Sequence, residues 1–140
     1  MASFNKFNSF VEALAEKKHD LGADTLKVLL TNTAPVATNS VKADITEISA
    51  GNGYTAGGNT ASVTSSAQTS GTYKLVLGDP ATWTATGGSI GPFRYAVLYN
   101  DTATNKELIG WWDYGSSITL AAGESFAVDF DPTTGVLTLA

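Results

Sequence analysis

The stretches PFRYAVLY (residues 92–99) and ELIGWWD (residues 107–113) decide the fold class of this 140-residue chain. Successive side chains of a strand point to opposite faces of its sheet. In the first stretch both faces are apolar, with Tyr95, Val97 and Tyr99 on one and Ala96 and Leu98 on the other. We therefore predict a sheet covered on both sides, with these residues in the core of the domain and the N-terminal helix as one cover. The alternative is that a neighbouring subunit covers the second face.

Short strands separated by turn residues account for most of the remaining chain. The sequence has 19 Thr, 12 Ser and 14 Gly, and Thr favours strands whereas Gly favours turns. Strands at this spacing indicate a sandwich or a barrel. We predict one domain over residues 1–140, mainly β, folded as an antiparallel β-sandwich with an N-terminal amphipathic α-helix. The predicted strands are 24–31, 60–66, 71–77, 81–86, 92–99, 107–113, 116–120, 125–130 and 135–139.

The predicted core follows from the apolar positions of these segments. It comprises Phe7, Leu14, Leu26, Val28, Leu30, Leu75, Leu77, Trp83, Val97, Tyr99, Ile109, Leu120, Phe126, Val128 and Leu137. The sequence DPTTG (131–135) has the composition of a tight turn and predicts a hairpin between the last two strands.

The predicted helix covers about residues 3–20. Phe4, Phe7, Val11 and Leu14 recur at spacings of three and four, which places them on one face of a helix. Ser3 is the expected N-cap, and Gly22 is expected to stop the helix. Residues 40–48 have a similar spacing and predict either a short second helix or irregular structure.

Composition excludes several classes of function. The chain has 8 basic and 13 acidic residues, a net charge of −5 and no cysteine. Disulfides and thiolate metal sites are therefore impossible. The negative net charge and the single Arg argue against a basic face, so we expect no nucleic-acid partner. No apolar run is long enough for a membrane helix. The N-terminus MASFNKFNSF lacks an apolar h-region, so we expect no secretory signal.

The sequence shows no convincing catalytic, metal or cofactor site, and we predict that the protein is not an enzyme. His19, the single histidine, is expected to be solvated or to complement the helix dipole. Asp129 and Asp131 are expected to serve the adjacent turn and not a metal ion. The glycines of residues 51–58 are not followed by the Lys-Ser/Thr pair of a phosphate loop, so we interpret them as turn residues.

Aromatic and loop residues provide the predicted contacts with other molecules. Trp111 and Trp112 must point to opposite faces of their strand. One is expected in the core, and the other is a platform for a partner or for a sugar. The Gly-rich loop at 50–59, with Tyr54 as its packing anchor, and Arg94 are further contact elements. The candidate interface residues are Phe4, Phe7, Asn52, Tyr54, Arg94, Trp111 and Trp112.

Long runs of the sequence resemble small structural proteins of tailed bacteriophages and prophages. They are LGADTLKVLLTNTAPVATNSVKADITEISAGNGYTAGG (21–58), SGTYKLVL (70–77), SIGPFRYAVLYND (89–101) and LIGWWDYGSSITLAAGESFAVDF (108–130). The resemblance implies a virion component, with a role as a capsid decoration or cement protein preferred. It supplies no catalytic residues.

The expected partner is the major capsid protein, the expected location is the phage head surface after synthesis in the host cytoplasm, and a homotrimer is expected by analogy. The alternatives are a tail, neck or fibre component and a carbohydrate-binding β-sandwich.

Overall fold

The computed structural model describes residues 2–140 and is mainly β, as predicted, with all strand pairs antiparallel. In residues 2–140, one α-helix and one short 3-10 helix accompany the strands. In chain order the elements are β1 (Asn5–Lys6), α1 (Ser9–Ala15), β2 (Leu26–Thr31), the 3-10 helix (Lys42–Asp44), β3 (Asn59–Ala61), β4 (Val63–Thr69), β5 (Thr72–Leu77), β6 (Trp83–Thr84), β7 (Ile90–Asn100), β8 (Leu108–Leu120), β9 (Ser125–Phe126) and β10 (Leu137–Leu139).

The strands form a five-stranded sheet in the order β1-β8-β7-β2-β3, a three-stranded sheet in the order β10-β5-β4, and the pair β6-β9. Of the two stretches that decide the fold class, residues 92–99 lie in β7, at the centre of the largest sheet. Its Val97 pairs with Leu29 of β2 on one side and with Trp111 of β8 on the other.

Apolar side chains cover both faces of the five-stranded sheet, as the alternation predicts. Ala96 and Leu98 belong to the larger cluster, which also receives side chains from β5 and β10. The smaller cluster lies on the opposite face and comprises Phe7, Leu29, Val97, Tyr99 and Leu108, with Ile45 and Trp111 packed against it. The chain's own residues therefore cover both faces, as the preferred prediction of core positions requires.

The predicted core is buried except at three positions. Leu14, Phe126 and Val128 are only partly buried and pack against the margin of the larger cluster. The other predicted core residues are all buried. Burial therefore follows the alternation of apolar residues closely along the long strands, and less closely near the short ones.

The N-terminal helix is much shorter than residues 3–20. Asn5 and Lys6 pair with β8 as a strand, and Asn8 is the N-cap in place of Ser3. Lys17 adopts a left-handed φ of 65°, so the helix ends well before Gly22. Val11, which we assigned to the apolar face, is 48% exposed.

Aromatic contacts explain why the helical spacing was misleading. Phe4 packs on Trp112 with ring centroids 5.3 Å apart, and Phe7 packs on Trp111 at 4.5 Å. These contacts are made to the two clusters on opposite faces of the sheet. Strand pairing with β8 and burial of two rings therefore outweigh the local helical pattern, as tertiary context commonly does.

Several strand boundaries also differ from the prediction. The segment predicted as 60–66 is divided between β3 and β4, whereas 107–113 and 116–120 form the single strand β8. β8 continues through Gly115, which has a φ of 103°. The segment predicted as 125–130 is a strand only at Ser125–Phe126.

The last two strands do not form the predicted hairpin. The DPTTG segment is a turn, in which the Asp131 carboxylate accepts the N–H groups of Thr133 and Thr134. However, β9 pairs with β6, and β10 pairs with β5. The turn residues therefore predicted the local bend correctly but not the strands that flank it.

Candidate functional site

An aromatic groove of about 290 Å³ lies where the N-terminal segment and residues 126–136 meet the strands β7 and β8. Because Trp112 and Tyr114 are two residues apart in β8, they face the same side of the sheet. The residues that define the aromatic groove are Phe4, Arg94, Trp112, Tyr114, Phe126 and Phe130.

The rings of the aromatic groove are arranged in two groups. Trp112 lies between Phe4 and Phe130, with centroid distances of 5.3 and 5.4 Å. Tyr114 meets Phe126 edge to face at 5.8 Å, a favoured geometry for aromatic pairs. Tyr114 is 57% exposed, so its ring is the part of the groove most accessible to another molecule.

Arg94, which lines the aromatic groove, forms a bidentate ion pair with Asp113. Arg94 Nε donates to Asp113 Oδ1 at 2.7 Å, and one terminal guanidinium nitrogen donates to Oδ2 at 2.9 Å. The hydrogen bonds to Asp113 raise the pKa of Arg94, and those from Arg94 lower the pKa of Asp113. The Arg94 guanidinium also lies 5.4 Å from the centre of the Tyr95 ring. The pair is therefore fixed in orientation while remaining partly open to solvent.

The two adjacent tryptophans point to opposite faces, as predicted, and both are half-buried. Trp112 lines the aromatic groove, whereas Trp111 packs on Phe7 beside the smaller cluster. We expected one of them in the core and the other on the surface. The aromatic residue of β8 that is exposed is instead Tyr114, at 57%.

The Gly-rich loop is held by a buried tyrosine. The Tyr54 hydroxyl accepts the N–H of Leu30 at 3.0 Å and donates to Glu47 Oε1 at 2.7 Å. The same carboxylate accepts the N–H of Gly57 and pairs with Lys42 at 2.9 Å. Burial is the main cause that raises the pKa of Tyr54 far above its usual range. Tyr54 thus anchors the loop to β2.

The remaining candidate residues do not gather at the aromatic groove. Asn52 is exposed, and its side-chain amide donates to the carbonyl of Ser89 at 3.0 Å. Phe7 and Tyr54 are 0% and 2% exposed, so neither side chain lies on the surface where an interface would need it. Of the seven candidates, Phe4, Arg94 and Trp112 are brought together in the groove.

His19 is buried, which contradicts its predicted solvated position. It is 5% exposed and packs on Phe10 with ring centroids 5.3 Å apart. Its Nδ1 faces the side-chain amide of Asn100 at 3.1 Å, and that amide also donates to Asp24 at 2.6 Å. The Asn100 carbonyl oxygen accepts two backbone N–H groups. The amide nitrogen is therefore the donor to Nδ1, and neutral His19 carries its proton on Nε2.

Two buried polar atoms near Asn100 have no hydrogen-bond partner among the described residues. They are His19 Nε2 and Glu107 Oε2. Burial lowers the pKa of His19, and the charges of Glu107 and Asp24 raise it in part. The neutral form of His19 is therefore favoured near neutral pH.

Comparison of the chain with protein-family models, curated proteins and solved structures gave no match. Within residues 2–140, no three His, Asp or Glu side chains are arranged to hold a metal ion. No helix in this part of the chain has the length and apolar character needed to cross a bilayer.

Sequence reasoning missed the polar groups that surround Tyr54 and His19. Tyr54 and Glu47 are close in the chain, but no motif relates them. His19 and Asn100 are separated by 81 positions. No local pattern connects residues so far apart, because only strand pairing brings β7 next to the segment that follows α1.

Proposed function

We propose that this protein is a non-enzymatic structural component of a tailed-phage virion that binds the outside of the head as a decoration protein. The sequence resemblance to phage structural proteins supports a place in the virion. The aromatic groove is the observation that supports a protein-binding role. Trp, Tyr and Arg are the residues that dominate binding energy at protein interfaces. Here Trp112, Tyr114 and Arg94 line one groove. The proposed partner is the major capsid protein.

The same proposal includes a β-sandwich architecture. Val28 and Leu98 of the five-stranded sheet share one apolar cluster with Leu75 and Leu137 of the three-stranded sheet. A shared cluster is expected when two sheets pack face to face. Such a two-layer domain presents the aromatic groove on a rigid support.

Decoration stabilises a shell by mass action. A protein that binds only the mature shell lowers its free energy by RT ln(1 + [L]/Kd) at each site, about 2.7 kcal/mol when the free protein is at one hundred times Kd. Many sites act together on one shell. The heat resistance of heads should therefore increase with the concentration of added protein.

Binding to phage heads that lack the protein tests this function. Tyr114→Ala should weaken binding by at least about tenfold, since exposed aromatic residues in such grooves are typical hot spots. Val36→Ala is the matched control, because Val36 is also exposed, at 53%, but lies outside the aromatic groove. Equal binding by both variants would contradict attachment through the groove. Unchanged heat resistance of decorated heads would contradict the decoration function itself.

Immunogold microscopy of intact virions separates the head from the alternative positions. Gold over the head surface supports decoration, whereas gold confined to the tail, neck or fibres would move the function there. A carbohydrate-binding role is the second candidate, because the exposed Tyr114 ring and the Arg94 side chain line the same groove. Glycan binding that is lost in Tyr114→Ala would favour that role.

A further inference from the structure

The exposed strand β4 lies at the edge of the three-stranded sheet. In the described residues its neighbour is β5 on one side, and no strand pairs with its other side. Residues 64–69 are all exposed. The edge therefore presents a row of backbone donors and acceptors to which another strand can pair.

The β4–β5 hairpin is preformed and regular near its tip. Thr69 pairs with Thr72 across a two-residue loop. Ser70 and Gly71 in that loop have φ values of 52° and 84°, as required for the type I′ turn that matches the twist of a hairpin. An ordered edge loses little conformational entropy when another strand pairs with it.

Charged and proline residues, two usual protections of an edge strand, are missing from β4, and its register shift between Val63 and Ser65 leaves residues 65–69 regularly paired with β5. Lysine, proline and inward-pointing charge discourage pairing of edges in monomeric proteins. The β4 sequence VTSSAQT contains none of them, and residues 48–73 include no Asp, Glu, Lys, Arg or His. All the charges of this chain, which carries a net −5, lie elsewhere. Two copies that approach each other through β4 therefore bring no like charges face to face.

We propose that β4 pairs antiparallel with β4 of a second copy around a two-fold axis. One such contact joins two three-stranded sheets and covers both exposed edges at once, because a two-fold interface uses the same surface on each copy. A partner of opposite charge gains nothing from an uncharged strand, so the observations favour a second copy. The inference goes beyond the proposed virion role and would stand without it. It replaces the expected trimer with a two-fold contact.

Charge substitution at Ala67 tests the contact, because Ala67 lies near the middle of β4 and is exposed. We expect the wild-type chain to have twice the monomer mass of 14.5 kDa in light scattering over a series of concentrations. Ala67→Lys and Ala67→Glu should each weaken association by at least about tenfold, since like charges then meet across the axis. An equal mixture of the two variants should restore the dimer. Thr72→Lys is the matched control, because it adds the same charge to β5, which is not an edge strand.

Each result decides the inference. Monomeric single variants, a dimeric mixture and a dimeric control support pairing through β4. A wild-type chain that is monomeric at every concentration, or that is trimeric, overturns the proposal. Single variants that remain dimeric, or a mixture that remains monomeric, also overturn it. Circular dichroism and thermal unfolding of each variant identify any loss of folding, and the mixture provides a readout that misfolding would not restore.

Discussion

Gly58 should tolerate alanine far less well than a glycine of the same backbone conformation elsewhere in the chain. Gly58 has a φ of 74°, and a Cβ built on it would lie 1.8 Å from the carbonyl oxygen of Val28 in β2. Gly87 has a φ of 73° with no heavy atom within 4 Å of the corresponding position. The two sites therefore share the cost of left-handed backbone and differ in the clash.

The shared cost is about 1–2 kcal/mol for a residue with a Cβ. At Gly58 the clash is with backbone, so β3 must move away from β2, with which Asn59, Thr60 and Ala61 are paired. Loss of about three hydrogen bonds between β3 and β2, at about 1 kcal/mol each, adds about 3 kcal/mol to the shared cost. We therefore expect Gly58→Ala to lower the free energy of unfolding by about 4–5 kcal/mol, against about 1–2 kcal/mol for Gly87→Ala.

Thermal unfolding followed by circular dichroism measures the difference. The expected shifts in Tm are roughly 15–20 °C for Gly58→Ala and roughly 5 °C for Gly87→Ala. Equal shifts would show that β3 does not approach β2 as closely as the distances require. The backbone clash at Gly58 would then be absent, and the cost of left-handed backbone would account for both shifts.

Two further predictions concern the buried polar groups. Tyr54→Phe should lower the free energy of unfolding in urea by about 1–3 kcal/mol, because it leaves the Leu30 N–H and Glu47 without their partner; Tyr73→Phe, whose hydroxyl meets Ser66 in an exposed position, should change it by less. Burial lowers the pKa of His19, so the unfolded chain binds its proton more tightly. The stability contributed by neutral His19 should therefore be complete above about pH 6.5 and decline as the pH falls below that value. In His19→Gln, the urea concentration at the unfolding midpoint should depend less on pH below about pH 6.5. An unchanged pH dependence would contradict a buried, neutral His19.

Prediction succeeded where the relevant pattern is short in range. Alternation in residues 92–99 was enough to indicate a strand with two apolar faces, and β7 has Ala96 and Leu98 in one cluster and Val97 and Tyr99 in the other. It also correctly placed Trp111 and Trp112 on opposite faces. Side chains of a strand alternate between its two faces with a period of two residues. A few consecutive residues are therefore enough to show which side chains share a face.

Prediction of the site was less complete. Phe4, Arg94 and Trp112 were singled out and do line the aromatic groove, but Tyr114, Phe126 and Phe130 were not recognised as its other walls. Phe7 and Tyr54 were expected at an interface and are buried within the chain. A list of aromatic residues does not say which of them the fold covers.

By itself, the sequence determined the mainly β class, the central strands and most of the core, because these depend on alternation and composition within a few residues. Only the tertiary structure decided that residues 5 and 6 pair with β8 and do not begin a helix, that β9 and β10 have different partners, and that His19 is buried beside Asn100. Each of these outcomes depends on contacts between segments far apart in the chain. The free energy gained from these long-range contacts exceeds the local preference of each segment for helix or strand. A pattern of neighbouring residues contains no information about such contacts.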